Sequence, residues 1–305
     1  SSSARFQRGY FMHRWWHFPA LIVGSLFGGA LLAWPLYAVL DLFLSPNFQK
    51  LLTFGTLGIG IVLALIYVRH TGPLSPAVLG LRWQDRYTLD PLAGFLTGLF
   101  MLAVLEGSLL LLGVHEFQRN REYVRMAVAT VVVQAFILSL IVALIEELLF
   151  RGALLTGLLR SYGRTAAMIL SSTVYAAAHF LKYPDPLLGA ELHWYTGIQM
   201  FPTALRWFAS PGTPSALLSL FLFGMLLALV RLRRDSLWPC IGMHAGLVFG
   251  YKIAGYCTDR VPGSEYEFLL SSNSPVLGWL AVIWLTFALS ICHRFCPVNA
   301  HEQRE

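Results

Sequence analysis

Eight apolar stretches, at approximately 18–44, 51–69, 91–114, 126–159, 165–182, 213–232, 237–257 and 275–295, dominate the chain. Each is long enough to span a bilayer as a helix, which takes about 20 residues. The fourth is too long for a simple crossing and is expected to tilt or to extend past the interface. Segment 183–212, rich in Pro, Trp and Tyr, makes no clean span and reads as interfacial or re-entrant. No internal repeat, low-complexity tract or linker interrupts the pattern, so residues 1–305 are expected to form a single integral membrane domain. The pattern predicts an all-α, polytopic membrane protein with about eight transmembrane helices enclosing a membrane-embedded cavity.

Composition identifies the solvent. Hydrophobic residues make up 56% of the 305 and charged residues only 12%, against about 25% charged in a soluble domain. Too little charge is present to build a polar exterior, so lipid is the expected surround. The net charge of +6 does not point to nucleic acid, because the basic residues flank apolar runs and form no patch or stripe. Lys and Arg between the spans favour one side, with Arg160, Arg164, Arg231, Arg233 and Arg234 among them, and so predict both termini in the cytoplasm. A bacterial inner membrane is the expected location. Trp15, Trp16 and His17, with Arg8 and Arg14, read as an interfacial anchor and not as a removable signal. The four cysteines, Cys240, Cys257, Cys292 and Cys296, form no disulfide framework and read as membrane-edge thiols.

Ionisable side chains inside a span cost several kcal/mol and are functional candidates by default. The fourth stretch carries Ile145-Glu146-Glu147-Leu148-Leu149-Phe150-Arg151. Glu147 and Arg151 lie four positions apart, on one helical face, and can pair. Glu146 points about 100° away and needs a partner from another helix. Folding the fourth and fifth stretches about Ser161-Tyr162-Gly163-Arg164 sets Glu146 and His179 at matching height, each roughly 21–24 Å of helical rise from the bend. A second hairpin about Arg233-Arg234-Asp235 sets Gly224 opposite His244. Three titratable groups from three helices are thereby expected in one layer. Glu106 stands apart, equally suited to a structural hydrogen bond, a lining role or catalysis, and Asp90 reads as a helix cap.

These residues resemble the CAAX protease and bacteriocin-processing (Abi) family of intramembrane glutamic-type endopeptidases. Glu146-Glu147-x-x-x-Arg151 matches its EExxxR signature, and Tyr175-x-x-x-His179 resembles FxxxH with Tyr for Phe. Phe221-x-x-Gly224-x-x-x-Ala228 resembles FxxGxxxG with Ala at the last position, and His244 resembles the His opening HxxxN. The resemblance covers about 123–257, with the motifs in family order. It departs at Val248, where the family has the Asn thought to help stabilise the oxyanion; Val has no donor.

The resemblance implies catalytic roles for Glu146, His179 and His244, supported by Glu147, Arg151, Tyr175 and Gly224. Glu146 would take a proton from water and hand it to the leaving amine, His179 would hold that water, and His244 would donate to the oxyanion. His244 then acts alone, or Tyr175 or Lys252 supplies the missing donor, or activity is altered. No cofactor is expected; zinc on Glu146, His179 and His244 is the alternative, although no HExxH occurs. The expected partners are the lipid bilayer and a membrane-embedded or lipidated protein or peptide substrate. Competing readings are a non-catalytic scaffold or immunity protein of the same fold, which Val248 favours, and a proton-coupled transporter.

Overall fold

The computed structural model describes residues 17–82, 88–118, 125–181, 183, 191–272 and 274–295, with the side chains of 125–127 and 207 left aside. The expected anchor at Trp15 and Trp16 with Arg8 and Arg14, and also Cys296, lies outside the described residues. The helices are α1 (His17–Leu40), α2 (Phe48–Thr71), α3 (Asp90–Leu111), α4 (Arg125–Glu147), α5 (Leu155–Tyr162), α6 (Arg164–Ala178), α7 (Thr196–Gln199), α8 (Phe201–Leu205), α9 (Thr213–Arg234), α10 (Trp238–Cys257) and α11 (Trp279–Phe295). Strands β1 (His115–Phe117) and β2 (Thr258–Arg260) pair antiparallel, with His115 opposite Arg260.

All eight expected stretches contain helix, but among the described residues five helical segments are long and apolar enough to cross a membrane: His17–Leu40, Phe48–Thr71, Asp90–Leu111, Val128–Tyr162 and Thr213–Arg234. Of the other three, α6 and α11 are shorter, with 15 and 17 residues, and α10 is interrupted by Pro, Gly, His and Lys. The overlong fourth stretch is not one regular helix. It widens into a π-helix over Leu148–Leu154 and resumes as α5. Outward side chains such as Phe100, Ile283 and Phe287 are exposed and apolar, whereas buried positions hold Glu147, Arg151 and His244. That distribution is the one a lipid surround permits.

The backbone packs as two compact units. One comprises 1–74, 153–170 and 177–209. In it α1 and α2 cross closely at Gly29 and Gly55, where a side chain on Gly29 would collide with the Thr56 backbone. Asn47 caps α2 by accepting from the Lys50 N–H at 2.9 Å. The described residues of the 183–212 stretch supply α7, α8 and a 3-10 turn but no crossing helix. It packs on α1, with Trp34 Nε1 donating to the Leu192 carbonyl at 2.9 Å and Gly197 set against Ala30.

The other unit comprises 75–152, 171–176 and 210–305. Its spine is a parallel pair, α3 and α10. Gly94 and Gly98 on α3 meet the Pro239–Met243 and Met243–Leu247 backbone, while Gly242 and Gly246 on α10 meet Pro91 and Phe95. Small residues at four-residue spacing let two backbones touch in lipid, where dispersion and close packing drive association. Asp90 does not cap α3 as expected. It is the first helical residue, and its carboxylate accepts from Arg234 Nη2 at 2.6 Å, pinning α3 to the turn before α10. Antiparallel to α10, α4 joins through Phe95, Phe136 and Phe249, whose rings stack edge-on or tilted at 5.7–6.1 Å.

Gly246→Leu is therefore expected to lower thermal stability in detergent by more than the roughly 1–3 kcal/mol of ordinary overpacking. The clash falls on backbone, which cannot rotate away. Gly107→Ala meets no atom within 4 Å and should be neutral. Equal unfolding temperatures for the two variants would refute this packing role.

Candidate functional site

Glu146 and Glu147 are the last two residues of α4 before the π-helix begins. A π segment adds a residue per turn and recurs where a helix must present side chains unusually; here it carries Phe150, Arg151 and Gly152. Glu147 is completely buried and Arg151 is 1% exposed. Arg151 Nη1 donates to Glu147 Oε1 at 3.0 Å, so the pairing expected from their spacing is present. Arg151 also lies over the Tyr175 ring, 4.1 Å from guanidinium carbon to centroid, and its Nη2 reaches the Gly224 carbonyl at 3.4 Å. One guanidinium thus links α4, α6 and α9 through charge, π face and backbone.

His244 enters from the glycine-flanked middle of α10. Its Nδ1 lies 2.8 Å from Glu147 Oε1, the same oxygen that Arg151 contacts. Its Nε2 lies 3.8 Å from Glu146 Oε2. The ring is held edge-on by Phe223 at 5.7 Å and Tyr175 at 6.1 Å, both at 85°. A carboxylate can only accept, so an ionised Glu147 pairs with a protonated Nδ1 of His244. Nε2 is left facing Glu146 and can either accept a proton or, in the imidazolium, donate one.

Glu146 and His244 are thus brought together, as expected from their depth, and Glu147 does more than its sequence position suggested. The i, i+4 spacing showed its pairing with Arg151 but could not show that His244 shares it. Gly224 is where α9 passes Ser172 of α6, and a Cβ there would press on that backbone at 3.1 Å. The hairpin about Arg233-Arg234-Asp235 forms as expected, closed by Asp235 in the left-handed region at φ 48°. His179 follows the last residue of α6, is half-buried, and belongs to the unit containing α1 and α2. Val248 lies one turn beyond His244 on α10, half-buried. Lys252, named as a substitute donor, lies a further turn on and lines a different cavity with Glu106 and His115.

Zinc would need three or four His, Cys, Asp or Glu side chains converging with open lone pairs. Among the described residues no group of three or more is so disposed. His244 has its Nδ1 engaged by Glu147, leaving one nitrogen toward Glu146.

Residues 128–250 match the family model described as type II CAAX prenyl endopeptidase, Rce1-like, a segment of less than half the chain that includes Glu146, Glu147, Arg151, Tyr175, His179, Gly224 and His244. Comparisons with curated proteins and with solved structures find no match. With five helices among the described residues long and apolar enough to cross a membrane, the chain is an integral membrane protein whose residues 128–250 match the Rce1-like model of the CAAX protease family.

Proposed function

We propose that the protein is an intramembrane endopeptidase that hydrolyses a peptide bond of a membrane-associated or lipidated substrate, with Glu146 activating the water. The observation that carries this reading is the shared placement of Glu146 and Glu147 around one imidazole. Glu147 holds His244 by Nδ1 at 2.8 Å, and Glu146 faces Nε2 at 3.8 Å.

In the working form Glu146 is a carboxylate and His244 an imidazolium whose charge Glu147 balances. Glu146 takes one proton from water as the hydroxyl oxygen bonds to the substrate carbonyl carbon. His244 Nε2–H donates to the oxygen that becomes negative. The C–N bond then breaks, and Glu146 passes the proton it took to the amine nitrogen. Arg151 holds Glu147 in orientation, and Glu147 in turn holds the imidazole. Tyr175 carries Arg151 over its ring face and meets His244 edge-on, and its hydroxyl is the candidate second donor where the family has Asn and this chain has Val248. A water-positioning role for His179 rests on the motif Tyr175-x-x-x-His179. A missing oxyanion donor costs about 3–4 kcal/mol, so Val248→Asn is expected to raise turnover.

The test is to compare C-terminal fragments in membranes with and without the protein, followed by purification and reconstitution in liposomes with the substrate so identified. Fragments that depend on the protein are expected. Their absence in both settings favours the non-catalytic scaffold that Val248 suggests. Prolonged treatment with a strong zinc chelator is expected to leave turnover intact; stoichiometric zinc together with chelator-sensitive turnover would instead establish the metal form.

A further inference from the structure

The helix that carries the two glutamates is fixed to its unit along one narrow face. Ala135, Ser139 and Ala143 of α4, four residues apart, are buried, and Ala143 packs on Leu237, Ile241 and Ala245 at the start of α10. The opposite face carries Thr130, Gln134, Ile137, Ile141 and Leu144, all exposed; the last three stand between 45% and 50%. At 100° per residue these five lie within about 40° of one line, roughly 180° from Ser139. Their separations run four, three, four, three. That alternation is the a and d pattern of a helix–helix seam, sustained here over two heptads.

Lipid alone would satisfy an apolar seam, but not Gln134. Counted from Arg125, where α4 begins, Gln134 is about 13 Å of helical rise into the span, close to the middle of a hydrocarbon core about 30 Å thick. Its amide has two N–H donors and a carbonyl acceptor, is exposed, and makes no hydrogen bond with the described residues. Exposed hydroxyls on other helices are satisfied within their own helix. Thr97 donates to the Ala93 carbonyl at 2.7 Å, Thr286 to Val282 at 2.7 Å and Ser290 to Thr286 at 2.8 Å. Hydrocarbon supplies neither donor nor acceptor. A polar group from another chain must therefore reach the amide at its own depth.

Symmetry identifies that group. Copies of one membrane protein share an orientation, so a two-fold axis relating them runs along the membrane normal, and a residue beside the axis meets its own copy at its own depth. A primary amide is its own complement, each N–H donating to the carbonyl of the other. An unrelated helix, a substrate's included, would have to place a polar group at that depth by coincidence. We propose that this seam is the interface through which two copies of the chain associate, α4 beside α4, with Gln134 bonded to the partner's Gln134. Small and β-branched side chains along the seam suit close packing in lipid, where such amides act as interhelical links. The pairing would brace the outer face of the helix that ends in Glu146 and Glu147, and it stands apart from the peptidase reading.

The test uses full-length protein labelled in separate batches with donor and acceptor dyes, mixed, reconstituted in liposomes and followed by energy transfer as lipid is added. Transfer is expected to fall along a monomer–dimer dilution curve. Gln134→Leu should weaken association about three- to tenfold, and Gln134→Asn, which keeps the amide, should retain most of it. Should Gln134→Leu fail to fold, single added cysteines give a second reading under mild oxidation. Gln134→Cys, Ile137→Cys and Ile141→Cys should yield cross-linked dimers beyond those of the unaltered chain. Leu138→Cys and Leu140→Cys, about 80° to either side, should yield far fewer. Transfer no greater than random proximity at every dilution would leave this face to lipid. Undiminished association of Gln134→Leu, or equal cross-linking at all five positions, would place the contact elsewhere. Each of these results would overturn the proposal.

Discussion

Glu146→Gln is expected to leave the protein folded and to abolish cleavage. The exchange keeps the shape of the side chain and removes its ability to take a proton. Glu146 is the outer of the two acids, with its side chain 16% exposed, and does not share in the Glu147–Arg151 pair, so the packing of α4, α6 and α9 around Arg151 has no reason to change. General acid–base catalysis by one positioned group contributes roughly 10²–10⁴-fold, and here the same group both receives and returns the proton. Turnover in liposomes should fall by at least that factor while thermal unfolding moves little. Cleavage persisting at an unchanged rate in a verified Glu146→Gln preparation would falsify the role given to this residue. The same variant separates the rivals. A scaffold would still complement a deletion when it carries glutamine, and a proton-coupled transporter would move solute in liposomes where the peptidase does not.

Glu147→Leu should behave in the opposite manner, damaging stability first. It leaves Arg151 as a buried cation, 1% exposed, and frees the imidazole of His244. Breaking a buried ion pair on one side costs about 3–5 kcal/mol, whereas replacing both partners with apolar groups is often neutral. The double variant Glu147→Leu/Arg151→Met should therefore recover most of the unfolding temperature lost by the single variant. Activity should not return with it, because His244 Nδ1 still lacks its acceptor and Nε2 is no longer held toward Glu146. A double-mutant cycle in detergent, run with the cleavage assay, reads both quantities. Recovery of cleavage together with stability would show that Glu147 serves packing alone.

The two variants also show which parts of the site could be read from residue order. Spacing within one helix is local geometry, so the Glu147–Arg151 pair was legible from four positions of separation, and so was the opposed direction of Glu146. Depth in the bilayer follows from counting rise along a helix, which placed Glu146 and His244 in one layer. What each imidazole nitrogen faces depends on how α10 is rotated about its own axis. That rotation is set by Gly242, Gly246 and the α3 glycines meeting backbone to backbone. The shared Glu147 oxygen was therefore not visible in advance. The π-helix over Leu148–Leu154 was hinted at only by the excess length of the fourth stretch and by Gly152 within it. Asp90 was misread for a similar reason. Its carboxylate has a partner, Arg234, 144 positions away, which no local capping rule contains.

The amino-acid order alone determined that the chain lives in lipid, because 12% charge cannot clothe a soluble exterior, and it determined the acid, basic and small residues from which a hydrolytic site can be made. Tertiary structure decided their electrostatics. It gave one carboxylate to Arg151 and to His244 Nδ1 together, turned the other toward Nε2, and folded His115 back onto Glu106 through Gly113, left-handed at φ 65°. Hydropathy is a sum over neighbours in sequence and survives without a fold; a hydrogen bond between a carboxylate and an imidazole 97 positions apart exists only when two helices are packed at one particular rotation.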